Sequence, residues 1–323
     1  MPDSLLVALG GNALIKKCQR GTLDEQRRNI HECLSGLLEP IQNGTRLVIT
    51  HGNGPQVGAI LMRAKAAKDE AYDLPLDVCV AQSQGEIGYL IQQSLQALLH
   101  RHGIHRPVVT MLSQTVVDLK DSHFQNPSKP IGFYLSEQET QKLKAQGVRL
   151  VEEPQRGYRR VVPSPFPLEI IEAKAIEQVV NTGTIVIAVG GGGIPVYRDE
   201  TGTLCGIEAV VDKDLGSSVL AVALKINRIL NLTSIDYAKL HYCSSEERNL
   251  QALTVSQAKQ YLAEGHFAPG SMGPKIEAAI HFVEHGGQEF IITRTDKVRE
   301  GLRGELGTHI CSFESISGID CEV

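Results

Sequence analysis

Six short apolar runs divide the chain, at residues 5–9, 47–50, 108–112, 185–189, 229–232 and 290–293. Each is bounded by turn residues and is too short to be a helix on its own. Each therefore predicts a buried strand. Between them lie segments with apolar residues three and four apart, as in residues 87–99, 175–180 and 276–283. That spacing places one apolar stripe along a helix. Strands alternating with helices predict an α/β chain with a mostly parallel sheet and helices on both faces.

Composition narrows the class. In 323 residues, 42% are apolar and 21% charged, which excludes a disordered or collagen-like chain. The length suits one large α/β domain or two smaller ones. A net charge of −5 argues against a duplex-binding protein, which wants a basic face. Trp is absent and aromatic residues are only 5%, so stacking on single strands is not expected. The seven cysteines (Cys18, Cys33, Cys79, Cys205, Cys243, Cys311 and Cys321) show no C-x-x-C spacing, which suits free thiols in a reducing compartment. The N-terminus has no basic start before its short apolar run. The longest uncharged stretch, residues 178–197, holds Asn181, Pro195 and five glycines, which does not suit a membrane span. A cytoplasmic protein with neither nucleic acid nor membrane as partner is expected.

Three of the runs end in glycine turns: Gly10-Gly-Asn12, His51-Gly-Asn-Gly-Pro55 and Gly190-Gly-Gly-Gly-Ile-Pro195. In a parallel sheet the carboxyl ends of the strands share an edge, and ligands bind there. Glycine lets backbone N–H groups approach an anion, and a following helix N-terminus adds partial positive charge. The three turns together predict a phosphate site; each alone could be a tight connection. There is no G-x-x-x-x-G-K-[ST], the turn at Gly52 is one residue too long for a dinucleotide fingerprint, and no G-x-S-x-G occurs.

Phosphates need cations. Lys129 lies between prolines in a polar stretch, Lys213 lies in Asp212-Lys-Asp214, and Lys275 follows Pro269-Gly-Ser-Met-Gly-Pro. Phosphoryl transfer is mostly positioning and charge neutralisation, so spaced lysines with glycine N–H groups are the expected parts. Glu208, Asp212 and Asp214 could hold the lysines or reach Mg²⁺ through water. Solvated lysines and a helix cap by Asp212 and Asp214 are the plain alternatives. A separate pattern, His281-Phe-Val-Glu-His285, has zinc-protease spacing but is followed at once by Gly286-Gly287 and reads as a helix end. No resident metal ligand set is expected.

In chain order, Leu9-Gly-Gly-Asn-Ala13, Thr50-His-Gly-Asn-Gly-Pro-Gln-Val-Gly58, Gln84-Gly-Glu-Ile-Gly-Tyr89, Asn126-Pro-Ser-Lys-Pro130, Gly190-Gly-Gly-Gly-Ile-Pro195, Val211-Asp-Lys-Asp214 and Phe267-Ala-Pro-Gly-Ser-Met-Gly-Pro-Lys275 resemble the motifs of carbamate kinases. The resemblance covers about residues 5–310. It implies the amino-acid-kinase fold: a three-layer α/β/α sandwich on a mostly parallel open sheet. A single domain would span residues 1–310, with a small protruding subdomain at about 121–167 and a C-terminal tail at 311–323. It implies a homodimer that transfers phosphoryl reversibly between ATP and carbamate, giving ADP and carbamoyl phosphate. Mg²⁺ would accompany the nucleotide, and the reaction would make ATP in arginine or related catabolism.

Carried over residue by residue, Lys129, Lys213 and Lys275 would surround the transferred group, with Asp214 among them and Glu208 as the acid that organises them. Gly10, Gly11, Asn12, Gly52, Asn53, Gly191 and Gly192 would face the phosphate and carbamate. Asp212, Tyr242, Pro269 and Met272 would lie on the nucleotide side. Ser234 stands where relatives often carry Asp, and Cys243-Ser-Ser-Glu-Glu-Arg248 replaces a turn usually rich in Gly, Lys or Pro.

Overall fold

The computed structural model describes residues 3–16, 18–153 and 157–312. Its main sheet has eight strands in the order Ala252–Thr254, Thr308–Cys311, Glu289–Arg294, Arg228–Thr233, Ser4–Leu9, Arg46–His51, Ile185–Ile187 and Val108–Thr110. The last six run parallel, and each coincides with one of the six predicted runs in whole or in part. Two predicted strands end early. Val189 adopts a left-handed backbone (φ 50°), which bends the chain out of the sheet and into its glycine turn. Leu112 lies beyond the ladder and is exposed.

The sheet edge opposite Val108–Thr110 was not foreseen. Ala252–Thr254 and Thr308–Cys311 are too short for a period to show, and Thr308–Cys311 runs antiparallel to Glu289–Arg294. Cys311 is buried and pairs with Glu289, so the main fold reaches one residue into the stretch expected as tail. Residues 313–323 of that stretch lie outside the described residues.

Side chains alternate across the sheet and build two cores. Leu5, Val7 and Leu9 face helices Leu23–Ser35 and Leu76–Arg101, packing on Ile30, Leu34, Ile87 and Ile91. Leu6 and Ala8 face helices Ala173–Asn181, Lys213–Ala223 and Gly273–Glu284, packing with Ile176, Leu220 and Ile276. The result is three layers. Each such aliphatic side chain, taken fully from water, contributes about 1.5–3 kcal/mol. Caps set the helix starts: Thr22 and Glu25 form a capping box, and the Asp212 carboxylate accepts the Asp214 N–H at 2.8 Å.

A smaller sheet forms within residues 129–162. Lys129–Leu135, Gly157–Val162 and Leu150–Glu153 form a small antiparallel sheet, with helix Glu137–Ala145 beside it. It docks on helix Gly54–Ala66 by packing Ile131 and Val162 with Val57, Ile60 and Leu61, and by a close approach of two glycines. A Cβ on Gly58 would lie 2.0 Å from the Gly132 Cα, so the two backbones meet only because Gly58 has no side chain. Lys129 and Gly132 share a strand, so this contact also sets where Lys129 points.

Gly58→Ala should separate the small sheet from the helix. Overpacking of this kind costs about 1–3 kcal/mol, here borne by the docked sheet. Limited proteolysis should cut between residues 121 and 167 at least ~10-fold faster than in wild type, before global unfolding. An unchanged digestion rate would show that the contact is not what seats the sheet.

Candidate functional site

Parallel pairing aligns Leu9 with His51 and Ile49 with Ile187. The glycine turns that follow these strands therefore emerge side by side. They border a cavity of about 480 Å³ lined by Gly10, Gly11, Gly52, Asn53 and Gly191. Gly191 has φ 64°, and a Cβ there would sit 2.1 Å from the Asn53 side-chain nitrogen. Only glycine suits that position. The Asn53 amide is itself turned down, donating to Ser83 Oγ at 2.9 Å.

Lys129, Lys213 and Lys275 all line the same cavity. They come from the small sheet, from the first residue of helix Lys213–Ala223 and from the first turn of helix Gly273–Glu284. Two carboxylates gather them. Asp214 accepts from Lys213 through Oδ1 and from Lys275 through Oδ2, the latter at 2.7 Å, while Asp212 accepts from Lys129. Asp212, Lys213 and Asp214 are each more than nine-tenths buried. Burial by itself would raise the Asp214 carboxyl, but the Lys213 and Lys275 ammoniums outweigh it and hold it well below the usual carboxylate range. Burial pushes Lys213 down, whereas the Asp214 charge overcomes burial at Lys275 and raises it.

Three ammoniums against two carboxylates leave one positive charge facing the cavity. Buried ion pairs contribute little net stability, because desolvation consumes most of the Coulomb gain. A cation is also unfavourable in the first turn of a helix. A cluster kept against both costs fits an anionic ligand. Its chemistry is charge neutralisation and alignment of phosphoryl groups. His51 borders the cluster, but burial pushes its imidazole down to about 4, so it is neutral at pH 7.

The expected residues divide as follows. Glu208 is not with the lysines; its carboxylate accepts the Leu76 N–H at 2.7 Å and starts helix Leu76–Arg101. A single backbone donor there uses the charge that was expected to organise the site, and Asp214 and Asp212 do that work. Asp212, expected on the nucleotide side, ties Lys129 to the main body. Met272 and Tyr242 line the cavity, whereas Pro269 is exposed between Ala268 and Gly270, which line it. Gly192 lies behind the wall, its carbonyl accepting from Thr115 Oγ1 at 2.7 Å. Asn12 sits in the short helix Gly11–Leu14; its side chain lies outside the described residues. His281 bonds Ser218 and His285 caps its own helix end, apart from the cavity lining.

The sequence reading missed Thr233, Lys239 and His266 in the lining, and Asn231 behind it. Asn231 carried a signal, a polar residue inside an apolar run. Lys239 and His266 carried none.

The sequence pattern of the amino acid kinase family matches residues 4–294. The chain belongs to the amino acid kinase family. It is 45% identical to the carbamate kinase of Pyrococcus horikoshii over 96% of this chain and 99% of that one. It is 43% identical to the carbamate kinase-like protein YqeA of Escherichia coli, over 96% of this chain and all of that one. The carbamate kinase of Giardia lamblia, solved bound to AMP-PNP, superposes with a TM-score of 0.88 at 39% identity, covering 96% of this chain and 99% of that chain.

Because the unfolded imidazole takes up a proton near pH 6.5 and the folded one near 4, His51 should weaken the fold as pH falls from 6.5 to 4. The loss is about 3 kcal/mol at most, at 1.4 kcal/mol per pH unit. Denaturant unfolding of wild type and His51→Gln across this range should give a shallower pH slope for the variant. Parallel slopes would mean that His51 is protonated in both states.

Proposed function

We propose that this amino acid kinase family member catalyses reversible phosphoryl transfer between ATP and carbamate, giving ADP and carbamoyl phosphate. The observation that carries the reading is the convergence of Lys129, Lys213 and Lys275 on Asp212 and Asp214 beside three glycine turns. Near-full-length similarity to carbamate kinases supports the choice of acceptor.

The chemistry follows from charge. Carbamate is already an anion, so its oxygen needs no general base. Two anions must instead be brought into line, and the repulsion between them must be offset. Lys213 and Lys275 would meet the oxygens of the migrating phosphoryl group from the helix side. Lys129 would meet them from the small sheet. Backbone N–H groups at Gly11 and Asn53 would orient the phosphate and the few atoms of carbamate, whereas those of Gly10 and Gly52 are held by the Leu232 and Leu9 carbonyls. The adenosine would lie towards Met272, Tyr242 and Ser234, which line the cavity.

An ATP-dependent kinase acts on a nucleotide carrying a divalent metal. We assign Mg²⁺ here as part of that substrate. Asp212 and Asp214 are already bound to lysines, and no cluster of three metal-ligating side chains occurs among the described residues. A homodimer and a role in making ATP from carbamoyl phosphate, in arginine or related catabolism, complete the reading.

A coupled assay of ATP formation from carbamoyl phosphate and MgADP should show turnover by the folded protein. No turnover there, with transfer to another small acid in a panel, would replace carbamate as the acceptor. Lys275→Met should lower kcat at least ~100-fold, as expected for one preorganised charge. A wild-type rate would remove Lys275 from the mechanism. Lys129→Ala should slow the reaction while keeping cooperative unfolding, because Lys129 lies outside the two main cores. Loss of the cooperative transition would instead make it a structural residue.

A further inference from the structure

Asn231 occupies the middle of strand Arg228–Thr233, between Ala8 and Ile292 on the neighbouring strands. It is fully buried, in a row with Ile229 and Thr233 on the face that meets helices Lys213–Ala223 and Gly273–Glu284. A central parallel strand covered on both faces ordinarily carries aliphatic residues throughout. Here Asn231 Nδ2 donates to Asp214 Oδ1 at 2.5 Å. Its own Oδ1 is buried and has no hydrogen-bond partner among the described residues. The amide cannot be turned round, because its oxygen would then face a carboxylate.

Asn231 thus satisfies one half of its amide and leaves the other half orphaned, which is destabilising. An aliphatic side chain would avoid that loss. What the asparagine adds is a third donor on Asp214. Lys213 and Lys275 sit on long, rotatable stems and follow the carboxylate wherever it turns. Asn231 projects from the most constrained part of the sheet and is the one neutral, short donor of the three.

We propose that Asn231 is a positioning residue: its amide fixes the plane of the Asp214 carboxylate, so that Oδ1 faces Lys213 and Oδ2 faces Lys275. The kinetic part rests on the phosphoryl transfer proposed above; the geometric part does not. Because the donor is uncharged, it orients Asp214 without adding to or removing from the positive charge that the lysines present.

Asn231→Leu tests this. The expected result is a kcat for ATP formation ~10-fold lower, since small misplacements of reacting groups cost rates of this order. KM for MgADP should stay within about twofold and the melting temperature should equal or exceed that of wild type. An unchanged kcat, with or without a lower melting temperature, overturns the proposal. Should Asn231→Leu not fold, Asn231→Thr, a residue suited to strands whose side chain is shorter, carries the same expectation. A crystal structure of the folding variant supplies a readout without turnover. The Asp214 carboxylate should be rotated, with at least one ammonium tip displaced by about 1 Å; an unmoved carboxylate overturns the proposal. If wild type itself makes no ATP from carbamoyl phosphate, the proposed reaction fails, and the crystallographic comparison alone decides the role of Asn231.

Discussion

The double ion pair of Asp214 is the constraint around which the site is built. One carboxylate bridges ammonium groups from two helices that start at the same edge of the sheet. Both lysines stand where the helix macrodipole disfavours a cation. Without the carboxylate, two buried like charges would repel one another and the helix starts would separate. With it, the helices are held together and their lysines stay at the cavity wall. The arrangement is stable because every member is satisfied at once, and it loses that stability if one partner is removed.

The third lysine shows how the small sheet is joined to the main body. Lys129 reaches Asp212, the N-cap of the helix that starts with Lys213. The strand that carries it approaches helix Gly54–Ala66 through the Gly58–Gly132 contact. One end of this connection is electrostatic and the other is steric. Together they bring a cation from outside the three layers to within reach of the glycine turns. The excess of one positive charge arises only when this piece is in place.

The legible parts of the fold were those written in local periodicity. The six apolar runs became six adjacent strands because a buried parallel strand needs nothing more than a short aliphatic stretch and a turn. The glycine turns were legible for a related reason: Gly191 and its neighbours serve a backbone shape that other residues cannot adopt. The two reversed edge strands were not legible, since three or four residues carry no readable period. Glu208 misled because a carboxylate near a lysine motif suits a helix cap as well as an ion pair. Asn231 was read as part of an apolar run, and only its neighbour across the layer gives its amide a purpose.

By itself, the amino-acid sequence determined the layer order, the glycine turns and the three lysines, because each is a property of a few consecutive residues. The tertiary structure alone decided which carboxylate holds which lysine. Lys275 and Asp214 are 61 residues apart, and Lys129 and Asp212 are 83. Charges pair across such separations by distance and burial, and both quantities exist only after the layers have packed.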